Sequence, residues 1–394
     1  MKRMLCTFAL LCIVSLTVAD NIHAQRDNFT PVDGASLRGK LDNAISKGRA
    51  TQARFWAGYQ FDVRPGICVD AEFTNEHGGR TIVSGIAYQK GRRIETRNLG
   101  VFMLYDAGGN ALDRVELYNL DRHHSFSGYP VYWMGHATND ESLTLLRGLV
   151  DTNTTTKVAE NAVVSIAMHD DSRIDGIIEG FARNSTNNKV RQSAVFWLGQ
   201  LPGSHPYLGE VIRSEQEGTE LRKQAAFSLG VSSDPQAMAT LQSIYGSINN
   251  REVKKQIIFA AFVNNDEEKD SLTGRSTSEK RSGSVEGTNF LIRVAETDSD
   301  NELKKQALFW IGQRAGQRSL EVLGKTVDSD DADTDVQKQA VFAISQRPKD
   351  EAVPLLIKIA RTHAKPEVRK QAMFWLGQTG DPRALEFFKE VLSK

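Results

Sequence analysis

Val368-Arg369-Lys370-Gln371-Ala372-Met373-Phe374-Trp375-Leu376-Gly377 is the stretch on which the reading of the fold turns. The same phrase recurs from Val190, Leu221, Val253, Leu303 and Val336. Weaker copies start at Phe126, which shares Trp133 and Gly135, and at Val158. Successive starts lie 32, 32, 31, 32, 50, 33 and 32 residues apart. Seven-fold recurrence at one spacing, with a single long interval, is the signature of a repeat array.

Each phrase reads as a helix. Val368, Ala372, Trp375 and Leu376 fall at i, i+4, i+7 and i+8, one apolar face. Pro366 suits the first turn, and Gly377 or Gly380 marks the end. A turn follows, such as Thr379-Gly380-Asp381-Pro382, Val231-Ser232-Ser233-Asp234-Pro235 or Arg347-Pro348-Lys349-Asp350. A second amphipathic stretch comes next: Ala384-Leu385-Phe387-Phe388-Val391-Leu392 in the last unit, where a closing helix is expected from Arg383 to Leu392, and Ala352-Val353-Leu355-Leu356-Ile359-Ala360 in the unit before. Two such helices cannot bury their apolar faces alone, but stacked neighbours share a core.

The pattern resembles HEAT repeats, in the short bacterial form often called PBS-lyase HEAT-like repeats. The resemblance covers residues 123–394. It rests on the small mid-helix residue (Ala225, Ala307, Ala340, Ala372), the Leu-Gly after it (Leu198-Gly199, Leu229-Gly230, Leu376-Gly377) and the Asp-Pro turn (Asp234-Pro235, Asp381-Pro382). It implies a mainly α chain, a right-handed α-solenoid of helical hairpins that recognises partner proteins. Lyase activity does not follow from the repeats, because function lives in a site and not in a fold.

Asp266 to Gly287, inside the long interval, is polar and nearly free of large apolar residues. It reads as an insertion emerging as a loop. It serves either as a tolerated spacer or as a contact or protease-sensitive loop. Residues 25–122 read differently from the array. Leu37 to Ile45 suits a short helix, Phe55 to Val63 alternates with period two, and Ile82 to Tyr88 is a second candidate strand. Asn98 to Asp106 and Ala111 to Asn119 form a hairpin around Ala107-Gly108-Gly109-Asn110. A small β-rich module of four or five strands, capping the array, is expected here.

At the front, Met-Lys-Arg-Met precedes an apolar run from Leu5 to Ala19. These are the parts of a secretory signal peptide, with cleavage after Ala19 or Ala24 (residues 1–24). The run is short for a membrane span. Leu11 before Cys12 is a poor lipidation context. The expected product is periplasmic or secreted and not inserted in a membrane. Cys68 then stands alone, so no intramolecular disulfide forms. The 49 basic and 49 acidic residues cancel, which argues against a nucleic-acid binder.

Chemistry is sparse. The chain has no phosphate loop, nucleophile elbow, His-Glu-x-x-His or Cys-x-x-Cys. His123, His124 and His136 lack a ligand spacing and suit a surface or capping role. Asp328 to Asp335 has the charge of a calcium loop without its central Gly and closing Glu, and suits helix capping. No cofactor, metal or catalytic residue is expected.

The recurring Lys and Phe remain. At about 100° per residue from Val368, Ala372, Leu376 and Trp375 cluster on the core side, and Lys370 and Phe374 lie opposite. Lys223, Lys255, Lys305, Lys338 and Lys370 repeat, with Gln192 the exception, and so do Phe196, Phe227, Phe259, Phe309, Phe342 and Phe374. In a solenoid the second helix lines the concave side, where such a ladder would take an acidic or apolar peptide. The competing reading packs each Phe between repeats and leaves each Lys solvated. The expected function is an exported scaffold or adaptor without catalysis that binds a protein or peptide. The alternative is an enzyme or regulator whose active part is the β-rich module.

Overall fold

The computed structural model describes residues 28–70, 72–74, 80–82, 95–151, 155–203, 206–264, 284–314, 316–330 and 332–393. The expected signal peptide, most of the polar insertion and most of the Ile82–Tyr88 strand lie outside them. The chain divides into two compact units, one up to Trp197 and one from Leu198 onward.

The first unit contains a five-stranded sheet in the order β1 (Thr30–Pro31), β7 (Val131–His136), β2 (Phe55–Gln60), β5 (Leu99–Tyr105), β6 (Leu112–Asn119). β3 (Glu72–Thr74) and β4 (Arg80–Ile82) form a separate antiparallel pair. β5 and β6 make the expected hairpin. Its turn needs Gly109, at φ +60°, and Asp106 Oδ1 accepts from the Asn110 N–H at 2.8 Å. Every residue of β5 is buried, so the sheet is covered on both faces. On one side lies α1 (Leu37–Thr51), which Ser36 caps and which runs a turn and a half past the expected end at Ile45. On the other, Phe29, Trp56, Phe102, Leu104, Leu120 and Val131 form an apolar cluster.

The boundary expected at residue 122 is overturned. The phrase from Phe126 does not open a helix: Trp133 lies in β7, the parallel partner of both β1 and β2. Pro130 opens the segment, and Val131, Tyr132 and Met134 bury within the sheet, so tertiary pairing overrides the repeat spacing. Seven phrases, not eight, are helical among the described residues.

After the sheet come α2 (Asn139–Asp151), α3 (Thr156–Ala167), α4 (Ile174–Asn184) and α5 (Asn188–Leu198). α3 packs on β6, and the Asn161 amide donates to the Val115 carbonyl at 2.6 Å. Between sheet and helices runs a fully buried polar relay. The His169 ring lies 2.9 Å from the Ser165 carbonyl through Nδ1, so Nδ1 carries the proton and Nε2 accepts from Ser142 at 2.7 Å. Tyr59 in turn donates to Ser142 at 2.9 Å. Burial lowers the His169 pKa to about 4 and raises that of Tyr59 far above its ordinary value.

The second unit is a series of hairpins: α6 (Pro206–Arg213) with α7 (Thr219–Gly230), α8 (Ala237–Ser247) with α9 (Arg251–Val263), α10 (Val285–Thr297) with α11 (Asn301–Gly312), α12 (Gln317–Asp328) with α13 (Thr334–Ser345), and α14 (Lys349–Thr362) with α15 (Pro366–Gln378), closed by α16 (Pro382–Leu392). Asn250, Asp300, Asp333 and Asp381 cap their helices through the side chain. The second helices, α7, α9, α11, α13 and α15, pack on one another in sequence.

The glycine that ends the phrase has a physical reason. A Cβ on Gly230 would meet the Ala260 main chain at 2.8 Å, and one on Gly312 the Ala343 carbonyl at 2.8 Å. Each glycine faces a small residue two positions earlier in the next phrase, and the helices close there. The polar insertion also ends earlier than expected. Ser284 caps α10, so residues 285–287 belong to a helix. The Ser284 N–H donates to the Asn264 carbonyl at 3.0 Å, which joins the two ends of the interruption. Arg314, buried, donates to the Ala261 and Phe262 carbonyls on one side and to the Ser284 carbonyl on the other. The repeat thus resumes in register.

Candidate functional site

The exposed side of each second helix is built by sequence spacing alone. With the first, fifth and ninth phrase positions buried, the third, fourth and seventh turn outward. Phe227, Phe259, Phe309 and Phe342 are half-buried there, and Phe374 is 56% exposed.

Within the second unit these rings form a continuous ladder. Phe227 stacks on Phe259 with centroids 6.0 Å apart, and Phe309 on Phe342 at 6.2 Å. Trp310 bridges Phe259, at 5.0 Å, to Phe309, at 4.7 Å. Trp375 bridges Phe342, at 5.0 Å, to Phe374, at 4.9 Å. Each of these rings thus has an aromatic neighbour, and Phe227, Phe259, Phe309 and Phe342 are half-buried. Phe196 belongs to the first unit, where it meets Trp197 at 5.4 Å.

The expectation that Trp375 joins the core is corrected. Ala372 and Leu376 are fully buried, but Trp375 is only half-buried. Its indole lies against Phe342 and Phe374 instead. Where this position is small, as at Ser228, Ala260 and Ala343, the glycine of the preceding phrase closes in instead. The Nε1 atoms of Trp310 and Trp375 are buried without a partner among the described residues.

The Lys column is less available than expected. Lys223 pairs with Glu220 at 3.1 Å, Lys255 with Glu252 at 3.0 Å, Lys305 with Glu302 at 2.5 Å and Lys338 with Asp335 at 3.0 Å. Each partner sits one turn back on the same helix. The hydrogen bond to Glu302 raises the Lys305 pKa, and that from Lys338 lowers the Asp335 pKa. Lys370 makes no ion pair with a described residue. Four of the five lysines are thus matched by an acid on the same helix, and the strip is less basic than the Lys column alone implies.

Two columns escaped the sequence reading. Gln224, Gln256, Gln306, Gln339 and Gln371 occupy the fourth phrase position, and Gln313, Gln346 and Gln378 lie seven residues after the last three. Aligning all phrases, rather than seeking charge and aromaticity, would have exposed them. The second position has a structural role. Arg222 donates to the Ile212 carbonyl at 2.9 Å, Gln337 to Val327 at 2.9 Å and Arg369 to His363 at 2.6 Å, closing each hairpin.

The remaining candidates do not converge. His124 lies 2.7 Å from the Asn119 carbonyl, His136 reaches Asp62 at 3.1 Å and His123 is exposed. Among the described residues no group of three or more His, Cys, Asp or Glu is placed to hold a metal. In the acidic loop, Asp333 caps α13 and Asp328 pairs with Lys358, while Asp331 lies outside the described residues. Ser142 and His169 have nucleophile–base spacing, but both are fully buried and no substrate reaches them in this arrangement. No described helix is long and apolar enough to cross a membrane.

Residues 327–394 match the family model of HEAT repeats. The second unit thus ends in hairpins of the HEAT kind, preceded by others of the same build. Among solved structures, human deoxyhypusine hydroxylase in complex with glycerol is 18% identical, with a TM-score of 0.30, over 64% of this chain and 89% of its own. Lipovitellin is 14% identical, with a TM-score of 0.42, over 77% of this chain and 35% of its own. Kap95p, from a structure with RanGDP, is 13% identical, with a TM-score of 0.37, over 60% of this chain and 34% of its own. No curated protein matches the chain in sequence.

Proposed function

We propose that the protein is an exported scaffold or adaptor without catalysis, which binds a protein or peptide partner through the strip of its second helices. The observation behind this is the aromatic ladder from Phe227 to Phe374. It leaves large apolar rings half-covered along five successive helices, a surface that desolvates favourably when a partner covers it. Export rests on the Met-Lys-Arg-Met start and the apolar run that follows. The near-neutral rungs favour an apolar partner segment over an acidic one.

The test is replacement of Phe227, Phe309 and Phe342 by Ser, with circular dichroism beside pull-down from the envelope fraction. A folded variant that loses the captured partner supports the reading. If the triple variant unfolds, Phe374→Ser, at the most exposed rung, decides alone: undiminished capture counts against the strip. N-terminal sequencing of the exported product should begin after Ala19 or Ala24.

A further inference from the structure

Resting on that reading, we propose that the Gln–Phe–Gln columns of α11, α13 and α15 grip the main chain of an extended, uncharged polypeptide segment, about three residues per helix. The columns are Gln306–Phe309–Gln313, Gln339–Phe342–Gln346 and Gln371–Phe374–Gln378. Their spacing of i, i+3 and i+7 puts each trio on one stripe of its helix. Gln313, Gln346 and Gln378 are exposed, and Gln306, Gln339 and Gln371 half-buried.

The hydrogen-bonding state of these amides points to the ligand. Gln306, Gln313, Gln339, Gln371 and Gln378 make no side-chain hydrogen bond to a described residue, and Gln346 reaches only its neighbour Ser345 at 3.1 Å. A carboxamide offers two N–H donors and a carbonyl acceptor, the complement of a peptide group. Packed helices lie about 8–10 Å apart and an extended chain rises about 3.3 Å per residue, so every third peptide group meets the next column. Between the Gln rows runs one Phe per helix, which takes about one side chain in every three. Lys305 and Lys338 are paired on their own helices, so of the three rungs only that of α15, with Lys370, offers a lysine without a described partner. A strongly charged segment finds little there to compensate it.

A polysaccharide also uses amides and aromatics, but it stacks its rings on open aromatic faces. Here Phe309 and Phe342 lie parallel, 9° apart at 6.2 Å, and Trp375 lies 5.0 Å from Phe342, so each of these half-buried phenylalanines is flanked by another ring rather than standing open.

The experiment pans a displayed library of random dodecapeptides on the full chain. A recovered peptide is then resynthesised for affinity measurement against wild type and against Gln306→Ala/Gln339→Ala/Gln371→Ala. Three lost hydrogen bonds should weaken binding at least about tenfold. Main-chain N-methylation at every third residue should do the same, and affinity should change little between low and high salt. Ala on these helices preserves the fold, which the thermal transition verifies. Equal affinity for wild type and the Gln variant overturns the proposal while leaving the broader scaffold reading to the Phe→Ser test. So does recovery of peptides whose binding is lost in salt, recovery of none, or Gln-dependent binding of a chito-oligosaccharide probe.

Discussion

The two units treat polar groups in opposite ways. In the first, Tyr59, Ser142 and His169 are fully buried and paired end to end between sheet and helices. In the second, the amides of Gln306, Gln313, Gln339, Gln371 and Gln378 are half-buried or exposed and make no side-chain hydrogen bond to a described residue. A satisfied buried network specifies one arrangement and leaves nothing to offer a ligand. An unsatisfied surface row contributes little to folding and is free to bind. Tyr59, Ser142 and His169 are thus spent on one another inside the first unit, while the glutamines of the second keep donors and acceptors for the proposed ligand.

The largest effect expected from this contrast is acid sensitivity in the first unit. His169 titrates at about 4 when folded against an ordinary 6.5. Between those values the unfolded chain binds the additional proton, so stability rises with pH there. The contribution is complete above about pH 6.5 and is lost as pH falls toward 4, about 3 kcal/mol in all. Urea unfolding from pH 8 to 4 should show this slope in the wild type and a flatter one in His169→Gln. Parallel slopes would mean that the buried relay does not set the acid limit.

The second contrast lies inside the array. Gly312 is pressed against the next phrase, whereas a Cβ on Gly377, at the same position of the last phrase, meets nothing within 4 Å. Gly312→Ala should destabilise by about 1–3 kcal/mol, because the Ala343 main chain cannot give way. Gly377→Ala should be neutral or stabilising by up to about 1 kcal/mol, from helix propensity alone. Equilibrium unfolding of the two variants decides, and effects of the same sign would break the account of why the phrase ends in glycine.

The array was legible because its rule is local and repeated: Val368, Ala372 and Leu376 mark the core in every copy, and spacing alone turns Phe374 outward. The β-rich module was legible where alternation and a Gly-Gly turn act locally, as in β2 and the β5–β6 hairpin. It failed at β7, whose partners β1 and β2 are remote in sequence, so that Trp133 passed for a repeat residue. Side-chain chemistry was less legible than backbone. The pairing of Lys338 with Asp335 lies within one helix turn and could have been read. The Trp310 and Trp375 seams depend on which residue the neighbouring helix presents, and no wheel drawn on one helix shows that.

The smallest effect sharpens the contrast most, because it separates charge from amide on one rung. Lys338 and Asp335 are an exposed pair that contributes little to the fold. Removing both leaves the net charge of the rung unchanged. Asp335→Ala/Lys338→Ala should therefore alter the affinity for a bound peptide by less than about twofold, while Gln339→Ala, one residue from Lys338, weakens it by more. Titration of one labelled peptide against both variants is sufficient. A large loss in the charge-neutral pair with none in Gln339→Ala would return the Lys column to the centre of recognition and set the amides aside as solvated surface.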